Sequence, residues 1–420
     1  MDHWIYSNAV LNLSIDNIEL TFILNAERAY VEVYLAVASS ADTLEDVRRG
    51  YYEEYRRQLA GLGISTAPDS DTAFVVVLTG GAENEILAAS RQYNVLLAWP
   101  HYNSLPSALE ALAALRDSGR YARLITLERP GQPLDERTVR TLRLIELIKR
   151  GAPRFGLVGA PNSWLVSSNM TLVTVDQIGL EESLAGLDPR AGLEDARRLV
   201  SGAASSEFPE AQIAPMAAYA KRLAEIAGKR GWDGLTLGCW CFDREAIRRL
   251  GWTPCISLAL LNQMGIPAAC EGDMRALYSM YVLSKLSGGP AWMGNVNLAE
   301  GDLLVLTHDG APPMIADKYY IVKRMGTGAP AAIRAVFASG LTATLLRVSA
   351  DLKRALLLKG VTVEAERVEA CNSQIGLKLL VGSAKDVLEA GLGNHLAFVL
   401  DDVYDEAREY LTHMGAKVVP

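Results

Sequence analysis

Ala73–Leu78 reads AFVVVL, an apolar run with no polar interruption, and it narrows the possible folds more than any other segment. A strand with one face in water alternates apolar and polar residues, whereas a strand of this kind is covered on both faces, as inside a parallel sheet. It runs into Thr79-Gly80-Gly81, a tight turn, and then into a helical pattern from about Glu83. Tyr30–Ala38 precedes it as a strand, and Val95–Trp99 and Ala122–Leu127 follow. Helical periods at Thr43–Leu62 and Ser107–Ser118 lie between them. This alternation predicts an open, doubly wound parallel sheet.

A second series begins at Phe155–Gly159. It continues through strands at Thr171–Val175 and Gly234–Cys241 and helices at Ser257–Met264 and Glu271–Ser287. After Gly288-Gly289-Pro290 the texture changes. Ala291–Leu298 and Leu303–Thr307 form a hairpin pattern across Ala299–Asp302, and strand-like segments dominate from there on. The expected fold class is α/β: two doubly wound domains, at 1–155 and 156–288, followed by a β-rich domain at 289–420.

The formal charge of −8 repels phosphate backbones and anionic headgroups, so neither nucleic acid nor a membrane surface is an expected partner. No stretch reaches the roughly 20 apolar residues of a bilayer span. The start, MDHWIYSNAV, lacks the basic-then-apolar pattern of a secretory signal. The five cysteines (Cys239, Cys241, Cys255, Cys270, Cys371) sit in apolar surroundings and read as reduced, buried thiols. A cytoplasmic location is expected.

No P-loop and no G-x-G-x-x-G after a strand is present, which argues against a dinucleotide enzyme. Cys239-Trp240-Cys241 has no second cysteine pair at zinc-ribbon spacing and reads as strand packing. His3 is terminal, and His413 reads as a charge near a helix end. His308 closes the second strand of the hairpin, and His395 follows the glycine-rich Gly391-Leu392-Gly393-Asn394. With Cys270-Glu271-Gly272-Asp273, which opens a helix, they offer two imidazoles and two carboxylates, a donor set suited to a manganese- or iron-type cation. Trp99, His101, Asn103 and Trp164 lie where strands end and are candidates for contacts to a small molecule.

Thr253-Pro254-Cys255, Leu261–Pro267, and Ala269-Cys270-Glu271-Gly272-Asp273, with Gly393-Asn394-His395, resemble motifs of the L-fucose/L-arabinose isomerase superfamily. Thr79-Gly80-Gly81, Trp99–Glu110 and Leu157–Val166 resemble its fucose isomerase-like branch, so the likeness covers most of the chain. The resemblance implies two Rossmann-like domains and a barrel-like C-terminal domain. It also implies a homotrimer or hexamer whose active site lies near a subunit contact. The implied activity is aldose–ketose isomerisation of a sugar through a cis-enediol, with Mn²⁺ at adjacent substrate oxygens. Glu271 would then be ligand and base, His395 and His308 ligands, and Asn394 a partner of a substrate hydroxyl. Asn295 stands where these enzymes carry a second acidic ligand, and Asp309, next to His308, is the residue that could substitute as acid. The alternative is a sugar-binding or regulatory homologue that has lost its metal at Asn295.

Overall fold

The computed structural model describes residues 31–420; the readings of MDHWIYSNAV and His3 lie outside the described residues. Strands β1 (Glu32–Ala38), β2 (Ser65–Thr66), β3 (Thr72–Val77), β4 (Tyr93–Ala98) and β5 (Tyr121–Thr126) form a parallel sheet in the order β2-β1-β3-β4-β5. Every residue of β3 is buried, as its unbroken apolar run requires. One face packs under Tyr55 and Leu59 of the helix Glu45–Gly61, the other under Ala108, Ala111 and Leu115 of Ser104–Asp117.

Next come β6 (Arg154–Val158), β7 (Thr174–Ile178), the two-residue β8 (Ser205–Ser206), β9 (Gly234–Leu237) and β10 (Ala268–Cys270). Four of them make a second parallel sheet, ordered β10-β9-β6-β7. Two expectations shift at its edge. The strand expected to reach Cys241 stops at Leu237, and just beyond it the chain passes so close to Ala160 that a side chain at Gly238 would lie 2.1 Å from the Ala160 carbonyl oxygen. The Asn162 amide then takes the place of a neighbouring strand, accepting from the Cys239 N–H at 2.8 Å and donating to its carbonyl at 2.9 Å. The helix expected from Glu271 starts at Met274, capped by Asp273.

The remainder is β11 (Trp292–Glu300), β12 (Leu303–His308), β13 (Lys318–Val322), β14 (Ala332–Val336), β15 (Thr342–Val348), β16 (Arg354–Val363), β17 (Ser373–Val381), β18 (His395–Val399) and β19 (Lys417–Val419). The order β15-β18-β11-β12-β17-β16, closed by pairing of β15 with β16, is an antiparallel barrel, and β19 adds to β16 in parallel. Closure removes the free edges that an open antiparallel sheet would present. β8 joins β13 and β14 in a small sheet, so a segment from the second α/β region is hydrogen-bonded to the C-terminal one.

The helix Glu136–Arg150 serves two cores. Leu142 and Ile145 enter the core of the first sheet, while Leu144 and Leu147 enter the large core shared by the second sheet and the barrel. Among the described residues, no helix is long and apolar enough to cross a membrane.

Candidate active site

β10 delivers Cys270 to the end of the second sheet, and the chain then turns through Glu271 at φ +68° and Gly272 at φ +78°. A left-handed conformation is natural for Gly272, and a side chain there would also lie 2.5 Å from the Pro161 Cα. For Glu271 it is a strained state of the kind kept only where neighbours over-determine it. Three contacts do so. The Glu271 carbonyl accepts from the Asn162 N–H at 2.9 Å, the Gly272 N–H donates to the Leu237 carbonyl at 2.9 Å, and the Trp164 indole N–H donates to Glu271 Oε2 at 2.7 Å. The strain aims a largely buried carboxylate at the barrel.

Two histidines meet it there. His308 ends β12 and His395 begins β18; β11 lies between them, with Asn295 in register with both Thr307 and His395. His308 Nε2 is 3.7 Å from Glu271 Oε1, and His395 Nε2 is 4.0 Å from Glu271 Oε2. Each ring is fixed by its other nitrogen. His308 Nδ1 donates to the Asp309 carbonyl at 2.9 Å, and His395 Nδ1 donates to Asp273 Oδ2 at 2.9 Å. An acceptor on Nδ1 leaves a lone pair on Nε2 of the neutral ring. Both Nε2 atoms are buried without a hydrogen-bond partner among the described residues.

Asp273 holds this arrangement together. It accepts from the Arg275 and Ala276 N–H groups, each at 3.0 Å, which makes it the cap of the helix Met274–Ser287. Its Oδ2 also accepts from Arg347 at 2.8 Å, and Arg347 donates in turn to the Leu392 carbonyl at 3.0 Å. Gly393, at φ +115°, is needed here because a side chain would come within 2.8 Å of the Arg347 guanidinium. Burial opposes the charge on Asp273, but the Arg347 and His395 partners outweigh it and hold the carboxyl well below its ordinary range. Burial likewise pushes Glu271 up, and the imidazoles with the Trp164 N–H bring it down to about 2. The same closeness raises His308 against the effect of its own burial.

The fit to a divalent metal rests on the two orphaned, oriented imidazole nitrogens facing one ionised carboxylate, each backed by a hydrogen-bonded outer partner. Asn394 and Asn295 also belong to this region, and Asn394 donates to Asn295 Oδ1 at 2.6 Å. The Asp309 carboxylate is engaged elsewhere: Oδ1 accepts from Asn372 at 2.8 and 2.9 Å, and Oδ2 lies 3.4 Å from Arg324.

Of the four strand-end candidates, Trp164 joins the cluster, and the residue is 46% exposed beside Glu271. Trp99 is buried in the first core against Tyr51, with ring centroids 6.1 Å apart. His101 is exposed on the loop that follows. Asn103 lines a separate open pocket of about 570 Å³ with Ser40, Thr79, Tyr102 and Ser107. Asp273 was legible as a helix opener, but its bond to His395 was not, and Arg347 gave no signal at all. Cys239 and Cys241 are joined as a disulfide, in contrast to the expected free thiols on one strand face. The strand has ended, and the turn Trp240–Phe242 brings their Cα atoms to 5.3 Å, closer than the roughly 6.6 Å of an i, i+2 pair in a strand.

No family model matches the chain. A sulfoquinovose isomerase of Alkalicoccus urumqiensis is 29% identical over 217 residues, 48% of this chain and 47% of that protein, so the match spans about half the relative's length. A sulfoquinovose isomerase of Priestia megaterium is 26% identical over 314 residues, 67% of each chain, and one of Priestia aryabhattai matches to the same extent. The parallel sheets, the closed barrel and the likeness to these sulfoquinovose isomerases together support the resemblance to the L-fucose/L-arabinose isomerase superfamily.

Proposed function

We propose that the protein is a divalent metal-dependent aldose–ketose isomerase acting on sulfoquinovose or a closely similar sugar. The observation that carries this is the pair of buried, partnerless imidazole nitrogens, His308 Nε2 and His395 Nε2, facing the Glu271 carboxylate. These three residues would hold the cation, with Asn295 beside them. When bound, a divalent cation such as Mn²⁺ supplies the positive charge that polarises a sugar carbonyl and stabilises negative charge on the neighbouring oxygens.

The protein's own residues do the rest. Glu271 is ionised across the working pH range and available to carry a proton between the two carbons. Trp164, itself half-exposed, orients that carboxylate and offers a ring face to the substrate. Asn394, exposed at the rim, is placed to bond a hydroxyl, and Asp309 is held ready as a second acid only if Asn372 and Arg324 release it. Asn103 and His101, distant in the sequence on the first domain's rim, would serve a neighbouring subunit's site in a trimer or hexamer.

A second reading has one observation in its favour. The Asn295 amide oxygen is already engaged by Asn394, as in a homologue that binds sugar without a metal. Incubating the protein, with and without Mn²⁺, with sulfoquinovose and with glucose, and following ketose formation by NMR, separates the two. Metal-dependent conversion supports the isomerase. Saturable sugar binding without turnover at any metal would leave the binding homologue. Light scattering giving three or six subunits is the expected assembly.

A further inference from the structure

We propose that Cys270 is a ligand of the same metal, supplying as a thiolate a second negative charge beside that of Glu271. This rests on the metal reading above and adds to it a donor of a different chemical class.

Among the described residues, one set of three potential ligand atoms lies mutually within 4.8 Å: the Cys270 sulfur, a Glu271 oxygen and a His308 nitrogen. His395 stands outside this tight set, against the other oxygen of Glu271. Donors on one zinc-like ion sit roughly 3.5 Å apart, so closing this set needs each pair to contract by at most about 1.3 Å. A buried cysteine is usually just a small apolar side chain. Here, however, the thiol is adjacent to a strained glutamate and to a buried imidazole nitrogen that has no other use.

Charge points the same way. Two carboxylates would neutralise a divalent cation, but Glu271 is the one carboxylate of the proposed ligand set, and Asn295 beside it is a neutral amide. Glu271 alone leaves a net positive centre in a largely buried space. A Cys270 thiolate restores the balance. On binding, the S–H bond breaks, its proton leaves to buffer, and the sulfur electron pair forms the bond to the metal. A soft sulfur donor among imidazole and carboxylate ligands shifts preference from manganese and magnesium toward zinc, cobalt and iron(II).

The test is titration of the chelator-treated full chain with Co²⁺, read by absorption. Ligand-field bands in the visible report that the site binds metal at all; an intense near-ultraviolet band reports sulfur-to-cobalt charge transfer. Both bands are expected, with the second lost in Cys270→Ser and kept in Cys255→Ser, and the preference for Zn²⁺ over Mn²⁺ falling at least about tenfold in Cys270→Ser. Ligand-field bands without charge transfer, or charge transfer that survives Cys270→Ser, would overturn the thiolate while leaving the metal site. No cobalt binding at all would overturn the metal reading and the thiolate with it. Should Cys270→Ser not fold, X-ray absorption of the zinc-loaded native chain decides: a sulfur neighbour at about 2.3 Å is expected, and its absence refutes the ligand.

Discussion

Asp273 accepts hydrogen bonds from two helix N–H groups, an arginine and a histidine, and is completely buried. Replacing it with Asn would leave the Arg347 charge uncompensated in the interior, and breaking a buried pair in this way costs about 3–5 kcal/mol. Urea denaturation of Asp273→Asn at neutral pH should show that loss. The folded carboxyl titrates below its unfolded value. Its contribution is therefore fully present above the unfolded pKa of about 3.9 and disappears as pH falls toward the folded value, so native and variant stabilities should converge in acid. Glu271→Gln is expected to keep the fold and lower turnover by about a thousandfold, with melting temperature as the control; retained turnover would remove Glu271 from the chemistry. What was legible at this scale follows from rarity. Histidines are few, so His308 and His395 stood out, and the motif around Glu271 was recognisable. Arg347, inside TATLLRVSA, reads as one more strand residue with a polar face, because its partners are 74 and 45 positions away.

The turn between β10 and the helix Met274–Ser287 is where element and site are the same object. Gly272→Ala would place a methyl 2.5 Å from Pro161 in a left-handed conformation, and a cost of roughly 1–3 kcal/mol with loss of metal affinity is expected. Calorimetry of the chain with and without Mn²⁺ would measure both effects, and an unchanged metal-induced shift would show that the turn does not set the site. The strands themselves were readable to within a residue or two wherever apolar runs were unbroken, as at β3 and β4. The reading failed where tertiary contacts end an element early. Just past the end of β9, Cys239 is hydrogen-bonded by the side chain of Asn162, a residue far away in sequence. Trp99 ends a strand in the place where a ligand contact was expected, yet Tyr51 claims its ring for the core.

Across the molecule, two kinds of contact tie the first sheet to the barrel, and their weights differ. Arg140 bridges to Asp401 at 2.6 Å, but both side chains remain partly in water, so Arg140→Ala should change stability by no more than about 1 kcal/mol. Leu144 is fully buried in the large core, and Leu144→Ala should cost about 2–5 kcal/mol. Thermal unfolding of the two variants side by side checks the ranking; a larger effect from Arg140 would reverse it. That the barrel inserts β18 between β11 and β15 could not be read from the chain, since alternation predicts strands but not which distant neighbours they choose.

A helix whose Leu142 and Ile145 belong to one core and whose Leu144 and Leu147 belong to another cannot be inherited with either alone. A hybrid that takes residues before Glu136 from a relative keeps a mismatched surface under the first sheet. One that moves the junction past Arg150 transfers the mismatch to the barrel side. The amino-terminal region, although built as a sheet of its own, is therefore bound to change in step with the rest of the chain, and exchange of that region between relatives succeeds only when both faces of one helix are exchanged with their partners.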